Sequence, residues 1–171
     1  MKIEQRAQPI RLILSDVDGV LTGGEIVFDN QGYESKQFHV RDGLGIKLWQ
    51  RAGFHFGLLT SRSSHIVKIR AAELNISIVR QGFEDKLPMA IQVCEELGMT
   101  ARETCYIGDD LPDLPVMRHV GMAVAVADAV AEVQAAAHHI TRLAGGQGAV
   151  REVIETILRS QGRWPELVGQ F

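Results

Sequence analysis

Five aspartates fall in two short stretches, Asp16-Val17-Asp18-Gly19-Val20 and Gly108-Asp109-Asp110-Leu111-Pro112-Asp113. Each stretch follows an apolar run that stops at a carboxylate, as a buried parallel strand does at its C-terminal end. An ionised carboxylate beside such a run is costly unless it is paired or bound to a cation. Asp109, Asp110 and Asp113 crowd into five residues and repel one another without a cation. Together with Asp16 and Asp18 they make an oxygen-rich set of the kind Mg²⁺ prefers. A turn and a helix cap could account for either stretch alone, with Pro112 in a first helical turn, but each explains one aspartate rather than all. Gly19 lets the backbone turn there and lets its N–H approach a ligand.

Two further groups suit an anionic ligand. Thr60-Ser61-Arg62-Ser63-Ser64 offers hydroxyls and N–H groups where a strand gives way to a helix, and such a terminus binds phosphate. Its bland alternative is an ordinary Ser/Thr cap. Lys86 stands at a helix start, where a cation is unfavourable to the helix dipole and so points to another use. Its alternative is a solvated side chain.

Elements that could position these groups alternate along the chain. Strands are expected at 11–16, 54–60, 76–79, 104–109 and 121–126, with a final short one at 140–141. Helices are expected at 44–52, 64–74, 86–97, 111–119, 130–137 and 149–160. Two alternating runs, 25–28 and 35–40 around Asp29-Asn30-Gln31-Gly32, predict a β-hairpin. This order implies an α/β fold, a Rossmann-like three-layer domain with a mostly parallel central sheet. In such a fold the polar site lies at the carboxyl ends of the strands, which is where Asp16, Thr60 and Asp109 fall. One domain over residues 1–171 is expected, with a hairpin insertion at about 23–42, no cap domain, and a tail at about 161–171.

Composition excludes other classes. The 171 residues are 46% hydrophobic and 23% charged, near the globular average rather than that of a disordered or fibrous chain. Eighteen Lys+Arg against 21 Asp+Glu give a net charge of −3, which leaves no basic footprint for nucleic acid. No apolar run is long enough to span a bilayer, and Met1 to Arg6 lacks the apolar core of a signal peptide. Cys94 and Cys105 read as buried small apolar residues of a reduced, cytoplasmic protein.

The order Asp-x-Asp, Thr, Lys, Asp-Asp, each at its strand edge, resembles the haloacid dehalogenase superfamily of phosphotransferases across essentially the whole chain. More closely, it is similar to the small capless members that hydrolyse 3-deoxy-D-manno-octulosonate 8-phosphate. The closer features are Asp16-Val17-Asp18-Gly19-Val20-Leu21-Thr22, His39-Val40-Arg41-Asp42-Gly43, Gly108 to Met117, and Ala144-Gly145-Gly146-Gln147-Gly148-Ala149-Val150-Arg151-Glu152.

The resemblance implies roles. Asp16 would be the nucleophile that forms an aspartyl-phosphate, and Asp18 the acid and base. Asp16, Asp18 through its carbonyl, and Asp109 would hold Mg²⁺. Thr60 and Ser61 would bind phosphate oxygens, and Lys86 would add positive charge there. Asp110 and Asp113 would support these groups from behind, Asp113 orienting Lys86. A sugar acid also carries a carboxylate. Gly19, the stretch His39, Val40, Arg41, Asp42 and Gly43, and Lys47, Arg62 and Arg70 would contact it. Arg62 and Arg70 lie eight apart, about two helical turns, and so are expected to face the same way. The late glycines would make a deformable covering loop, or simply a turn. The resemblance further implies a homotetramer built on the hairpins, with Phe28, Phe38 and Val40 at the subunit contact or on their own sheet, and with a neighbour's tail over each site. It also implies a cytoplasmic step of lipopolysaccharide biosynthesis.

The chain departs from the family at Ser61, where Gly is usual, at Lys47, where Arg is usual, and at Phe83. The sister activity on a nine-carbon 2-keto-3-deoxy sugar acid 9-phosphate typically has an acidic residue where Arg62 stands, so Arg62 favours the eight-carbon substrate. A broad-specificity phosphatase of the same mechanism remains open. A catalytically silent oligomerisation module is argued against by the intact polar set, and a phosphorylated receiver domain by the position of Asp16 after the first strand.

Overall fold

The computed structural model describes residues 2–171. Among the described residues, eight strands and eight α-helices follow one another in the order α1 (Ile3–Ala7), β1 (Leu12–Ser15), β2 (Val27–Phe28), β3 (Glu34–Ser35), α2 (Val40–Arg51), β4 (His55–Thr60), α3 (His65–Glu73), β5 (Ile78–Gln81), α4 (Lys86–Leu97), β6 (Thr104–Gly108), α5 (Leu114–His119), β7 (Met122–Ala125), α6 (Ala131–Ala136), β8 (His139–Ile140), α7 (Ala149–Ser160) and α8 (Trp164–Val168).

Six strands form one sheet in the order β5-β4-β1-β6-β7-β8, and all its pairs are parallel. The chain builds leftward from β1 through β4 to β5, then returns to build rightward from β6 to β8. Right-handed crossovers therefore put α2 and α3 on one face and α4, α5 and α6 on the other. The order reverses beside β1, and a crevice opens at such a reversal, outside the carboxyl ends of the strands. Asp16 is the first residue beyond β1 at that point.

The central strands are buried along their length, as parallel strands covered on both faces must be. Helix α7 buries Ala149, Val150, Val153, Ile154, Ile157 and Leu158, a stripe of helical spacing, and packs chiefly on α2. Helix α4 begins at Lys86, with Asp85 accepting the Leu87 N–H, and ends at Gly98 in the left-handed conformation.

Four expectations need correction. The hairpin is short, and its second arm ends at Ser35 rather than running to Val40. His39 instead caps α2, its Nδ1 accepting the Arg41 N–H, so the helix starts four residues early. Phe38 does not share an outward face with Phe28 and Val40; it packs against the core, under the Arg70 guanidinium. The stretch after residue 160 is not a plain tail, because α8 buries Trp164 and Leu167. A short N-terminal helix, unforeseen in the sequence, packs on α7. No helix among the described residues is long and apolar enough to cross a membrane.

Candidate active site

Three adjacent strands deliver the polar cluster. Ser15 lies level with Leu58 on β4 and Ile107 on β6, so Asp16, Thr60 and Asp109 emerge side by side at the carboxyl edge. The Asp16 N–H continues the ladder onto the Ile107 carbonyl. The Asp16 side chain then turns back, and its Oδ1 accepts the Val17 N–H at 2.7 Å.

Lys86 reaches this edge from the start of α4. It is buried, and its Nζ lies 2.9 Å from Asp16 Oδ1 and 2.7 Å from Asp113 Oδ1. Burial pulls Lys86 down, but the Asp16 and Asp113 charges outweigh it and hold the ammonium above its ordinary value. The Lys86 side chain is therefore a fixed cation rather than a solvated one.

Asp113 anchors the cluster. Its Oδ1 also accepts the Tyr106 hydroxyl at 2.7 Å, and its Oδ2 accepts the N–H groups of Asp109 at 2.9 Å and Asp110 at 3.2 Å. With four donors on two oxygens and no exposure, Asp113 has no lone pair left for a ligand. Oxygens of Asp16, Asp109 and Asp113 all lie within 4.8 Å of one another, yet only Asp16 and Asp109 have oxygens free to coordinate. Tyr106 was not singled out in the sequence, where it reads as one more residue of a buried strand.

Asp109 fits a cation by a further observation. Its Oδ1 is buried without a hydrogen-bond partner. Burial, reinforced by the Asp16 and Asp113 charges, pushes Asp109 up to about 8. Burial and the Asp113 charge push Asp16 up to about 6 despite Lys86. Buried carboxylates so placed are stabilised by a divalent ion. Gly19, at φ +89°, makes room for this group, since a Cβ there would fall 2.0 Å from Asp109 Oδ2.

The loop that carries Asp18 and Gly19 rests on the late glycine segment. The Gly146 N–H donates to the Val20 carbonyl at 2.9 Å. A Cβ on Gly145 would fall 1.8 Å from the Gly19 carbonyl oxygen. These glycines allow two backbones to touch, and the segment supports the aspartate loop in place of the loose cover expected.

Asp18 is held by the hairpin. Its Oδ1 accepts from Lys36 Nζ, and Lys36 lies 3.3 Å from Glu34 Oε1. Glu34 also accepts Arg62 Nη2 at 2.8 Å and the Ser64 hydroxyl at 2.9 Å. Burial pulls Glu34 up, but Ser64, Lys36 and Arg62 outweigh it and hold Glu34 below its ordinary value. Neither Glu34 nor Lys36 was foreseen, because in sequence they are two charges in a polar, alternating run.

The other expected contacts divide. Thr60 is buried at the strand end, and Ser61 has a buried hydroxyl without a partner. Asp110 is exposed and spends its Oδ1 on the Leu111 N–H. Arg62 precedes α3 while Arg70 lies within it, so the two do not share a helical face. Arg62 points to the hairpin. Arg70 pairs with Glu73 at 2.8 Å and lies against Gly43. Asp42 is buried, with Oδ1 accepting the Arg151 N–H at 2.8 Å, and ties α2 to α7. Burial pushes its carboxyl up. Val40 and Arg41 are exposed beyond the His39 cap. Lys47 lines a groove with Phe54, His55, Asn75 and Ser77, at the amino ends of β4 and β5 and away from Asp16.

Comparison with known proteins follows the same lines. Residues 66–154 match the family model for haloacid dehalogenase-like hydrolases. The 3-deoxy-D-manno-octulosonate 8-phosphate phosphatase of Escherichia coli strain K12 is 43% identical over 165 residues, 96% of this chain and 88% of that protein. The Haemophilus influenzae protein of the same description is 40% identical over 161 residues, 94% of this chain and 89% of its own. A crystal structure of 3-deoxy-D-manno-octulosonate 8-phosphate phosphatase from Moraxella catarrhalis, in complex with magnesium ion, phosphate ion and KDO, superposes with a TM-score of 0.97. It is 40% identical, and the match covers 99% of this chain and 97% of that one.

Proposed function

The chain belongs to the haloacid dehalogenase-like hydrolases, and from that premise we propose that it is a Mg²⁺-dependent phosphatase of 3-deoxy-D-manno-octulosonate 8-phosphate. The observation that carries the reading is the pairing of a buried nucleophile candidate with a buried cation. Asp16 stands at the reversal of strand order, its carboxylate 2.9 Å from Lys86 and beside an Asp109 oxygen that no protein donor satisfies.

In this reading an Asp16 oxygen attacks phosphorus as the bond to the sugar oxygen breaks. Asp18 gives its proton to that oxygen, which leaves as an alcohol. A water then attacks the aspartyl-phosphate, Asp18 takes the proton back, and the bond to Asp16 breaks to release phosphate. Lys86 holds positive charge against the transferring group throughout, and Asp113 keeps Lys86 in place. Thr60 and the Ser61 N–H bind phosphate oxygens. Asp16, Asp109 and the Asp18 carbonyl would hold Mg²⁺. The ion, when bound, offsets repulsion between carboxylate and phosphate and stabilises charge on the transferring oxygens.

The same reading takes the protein as a single domain, a homotetramer and a cytoplasmic enzyme. An apolar surface of Ile26, Val27, Phe28, Tyr33, Val40 and Leu44 runs along the hairpin and the first turns of α2 and supports assembly there. The buried free thiols of Cys94 and Cys105 support a reducing compartment. Phosphate release with Mg²⁺ from the eight-carbon and nine-carbon sugar acid phosphates, simple sugar phosphates and p-nitrophenyl phosphate tests the substrate. A strong preference for the eight-carbon compound is expected, and uniformly low rates would refute it.

A further inference from the structure

Lys36 is an unusual residue for an exposed hairpin. Its side chain is 1% exposed although its neighbours Ser35 and Gln37 face solvent. A buried ammonium is costly unless it is paired. Lys36 is paired with Asp18 and Glu34, two carboxylates from different segments. Among the described residues, Lys36 is the one side chain that bonds the Asp18 carboxylate. Glu34 in turn meets Arg62 and Ser64, which lie on the loop that follows Thr60.

These contacts join three segments. The loop after β1 supplies Asp18, the hairpin supplies Lys36 and Glu34, and the loop after β4 supplies Arg62 and Ser64. The hairpin is short, and its strand residues Val27 and Phe28 are exposed, so it has little apolar packing of its own to fix it. Within the chain, the ion pairs tie the hairpin to the loops that carry Asp18 and Ser64. Arg62 is also engaged within the chain, so its place in the cluster is the one the structure accounts for.

Resting on the proposed role of Asp18, we propose that Lys36 is a positioning residue for the proton transfer: it holds the Asp18 carboxylate in place from the hairpin, and Glu34 locks Lys36 to the loop after Thr60. The hairpin is then part of the catalytic apparatus within one chain. Proton transfer to a leaving oxygen demands hydrogen-bond placement of the acid. Attack by Asp16 makes no such demand on Asp18.

The two steps separate by leaving group. A sugar alkoxide needs a proton to leave, whereas p-nitrophenolate leaves without one. In the full-length protein with saturating Mg²⁺, Lys36→Met is expected to lower kcat/KM, which reads the steps up to loss of the leaving group, by about 100-fold on 3-deoxy-D-manno-octulosonate 8-phosphate. On p-nitrophenyl phosphate kcat/KM of the same variant is expected to fall by less than about threefold, because the later attack of water, where Asp18 acts as base for either substrate, enters kcat alone. Lys36→Arg keeps the cation and is expected to recover at least about tenfold on the sugar substrate, and Glu34→Gln to show a weaker form of the same bias. Equal losses on both substrates for Lys36→Met and Glu34→Gln, or no loss on either, overturn the proposal. Should Lys36→Met fail to fold, the bias in Lys36→Arg and Glu34→Gln decides. Asp16→Asn is the control for the underlying reading, since activity that survives there sinks the reading rather than the role of Lys36.

Discussion

Lys86 and Asp113 stand 27 residues apart in the chain and close to 2.7 Å in the fold, with neither side chain more than 4% exposed. The pair joins the start of α4 to the turn after β6, and it sits against Asp16. Removing one partner of a buried pair leaves the other charge uncompensated, at a cost of about 3–5 kcal/mol. Lys86→Met is therefore expected to lose stability in that range and to lose turnover, because Asp16 and Asp113 then face each other without a cation. Thermal melts and phosphate release read the two effects. A variant with near wild-type melting and rate would show that the pair is incidental.

Metal binding has a signature independent of turnover. Asp109 at about 8 and Asp16 at about 6 both lie above the ordinary carboxylate value of 3.8. Their protonated forms are thus favoured in the folded state, which binds more protons than the unfolded chain between those limits. Stability of the metal-free protein is expected to fall as pH rises from about 4 to about 8. Mg²⁺ is expected to raise the melting temperature most at the upper end, where both carboxylates are charged. Asp109→Asn should remove most of that response. A melting temperature indifferent to Mg²⁺ at pH 8 would contradict the site.

Asp42 lies in a stretch expected to touch substrate, but the structure makes it the tie between α2 and α7 through the Arg151 N–H. Asp42→Ala is expected to cost about 1–3 kcal/mol while leaving KM unchanged in the folded protein. A raised KM without loss of stability would restore the substrate role.

Gly145 has no room for a side chain, since a Cβ would meet the Gly19 carbonyl at 1.8 Å. Gly145→Ala must push the aspartate loop aside, at about 1–3 kcal/mol, and kcat should fall with it because Asp18 and Gly19 ride on that loop. Gly169, whose φ is likewise not positive and whose Cβ would meet no atom nearer than 3.4 Å, offers a comparison. Equal effects at both positions would mean that loss of the glycine itself, and not contact with Gly19, decides.

The parallel sheet was legible because buried strands ending in carboxylates carry both periodicity and chemistry in a few adjacent residues. Asp16, Thr60 and Asp109 could be placed at one edge on that basis alone. Lys86 could be suspected, but its bond to Asp113 needed the fold, since nothing local tells a buried lysine from a solvated one. The extent of α2 was misread because Val40 and Arg41 are as compatible with an alternating strand as with a first helical turn, and the cap that decides, His39 Nδ1 on the Arg41 N–H, is a side-chain geometry. Arg62 and Arg70 were aligned on a helix that begins only at His65. The Asp18–Lys36–Glu34 cluster was out of reach, because it joins segments whose sequences carry no mark of meeting.

The account turns on Asp16 as the atom that receives phosphorus. Rapid acid quench of the wild-type protein turning over 3-deoxy-D-manno-octulosonate 8-phosphate with Mg²⁺, followed by mass spectrometry of its peptides, reads this directly. The expected result is one phosphoryl group on the peptide that carries Asp16, fragmenting to that residue, with neither adduct nor turnover in Asp16→Asn. Turnover that persists in Asp16→Asn, or a phosphoryl group on another residue, would contradict the account.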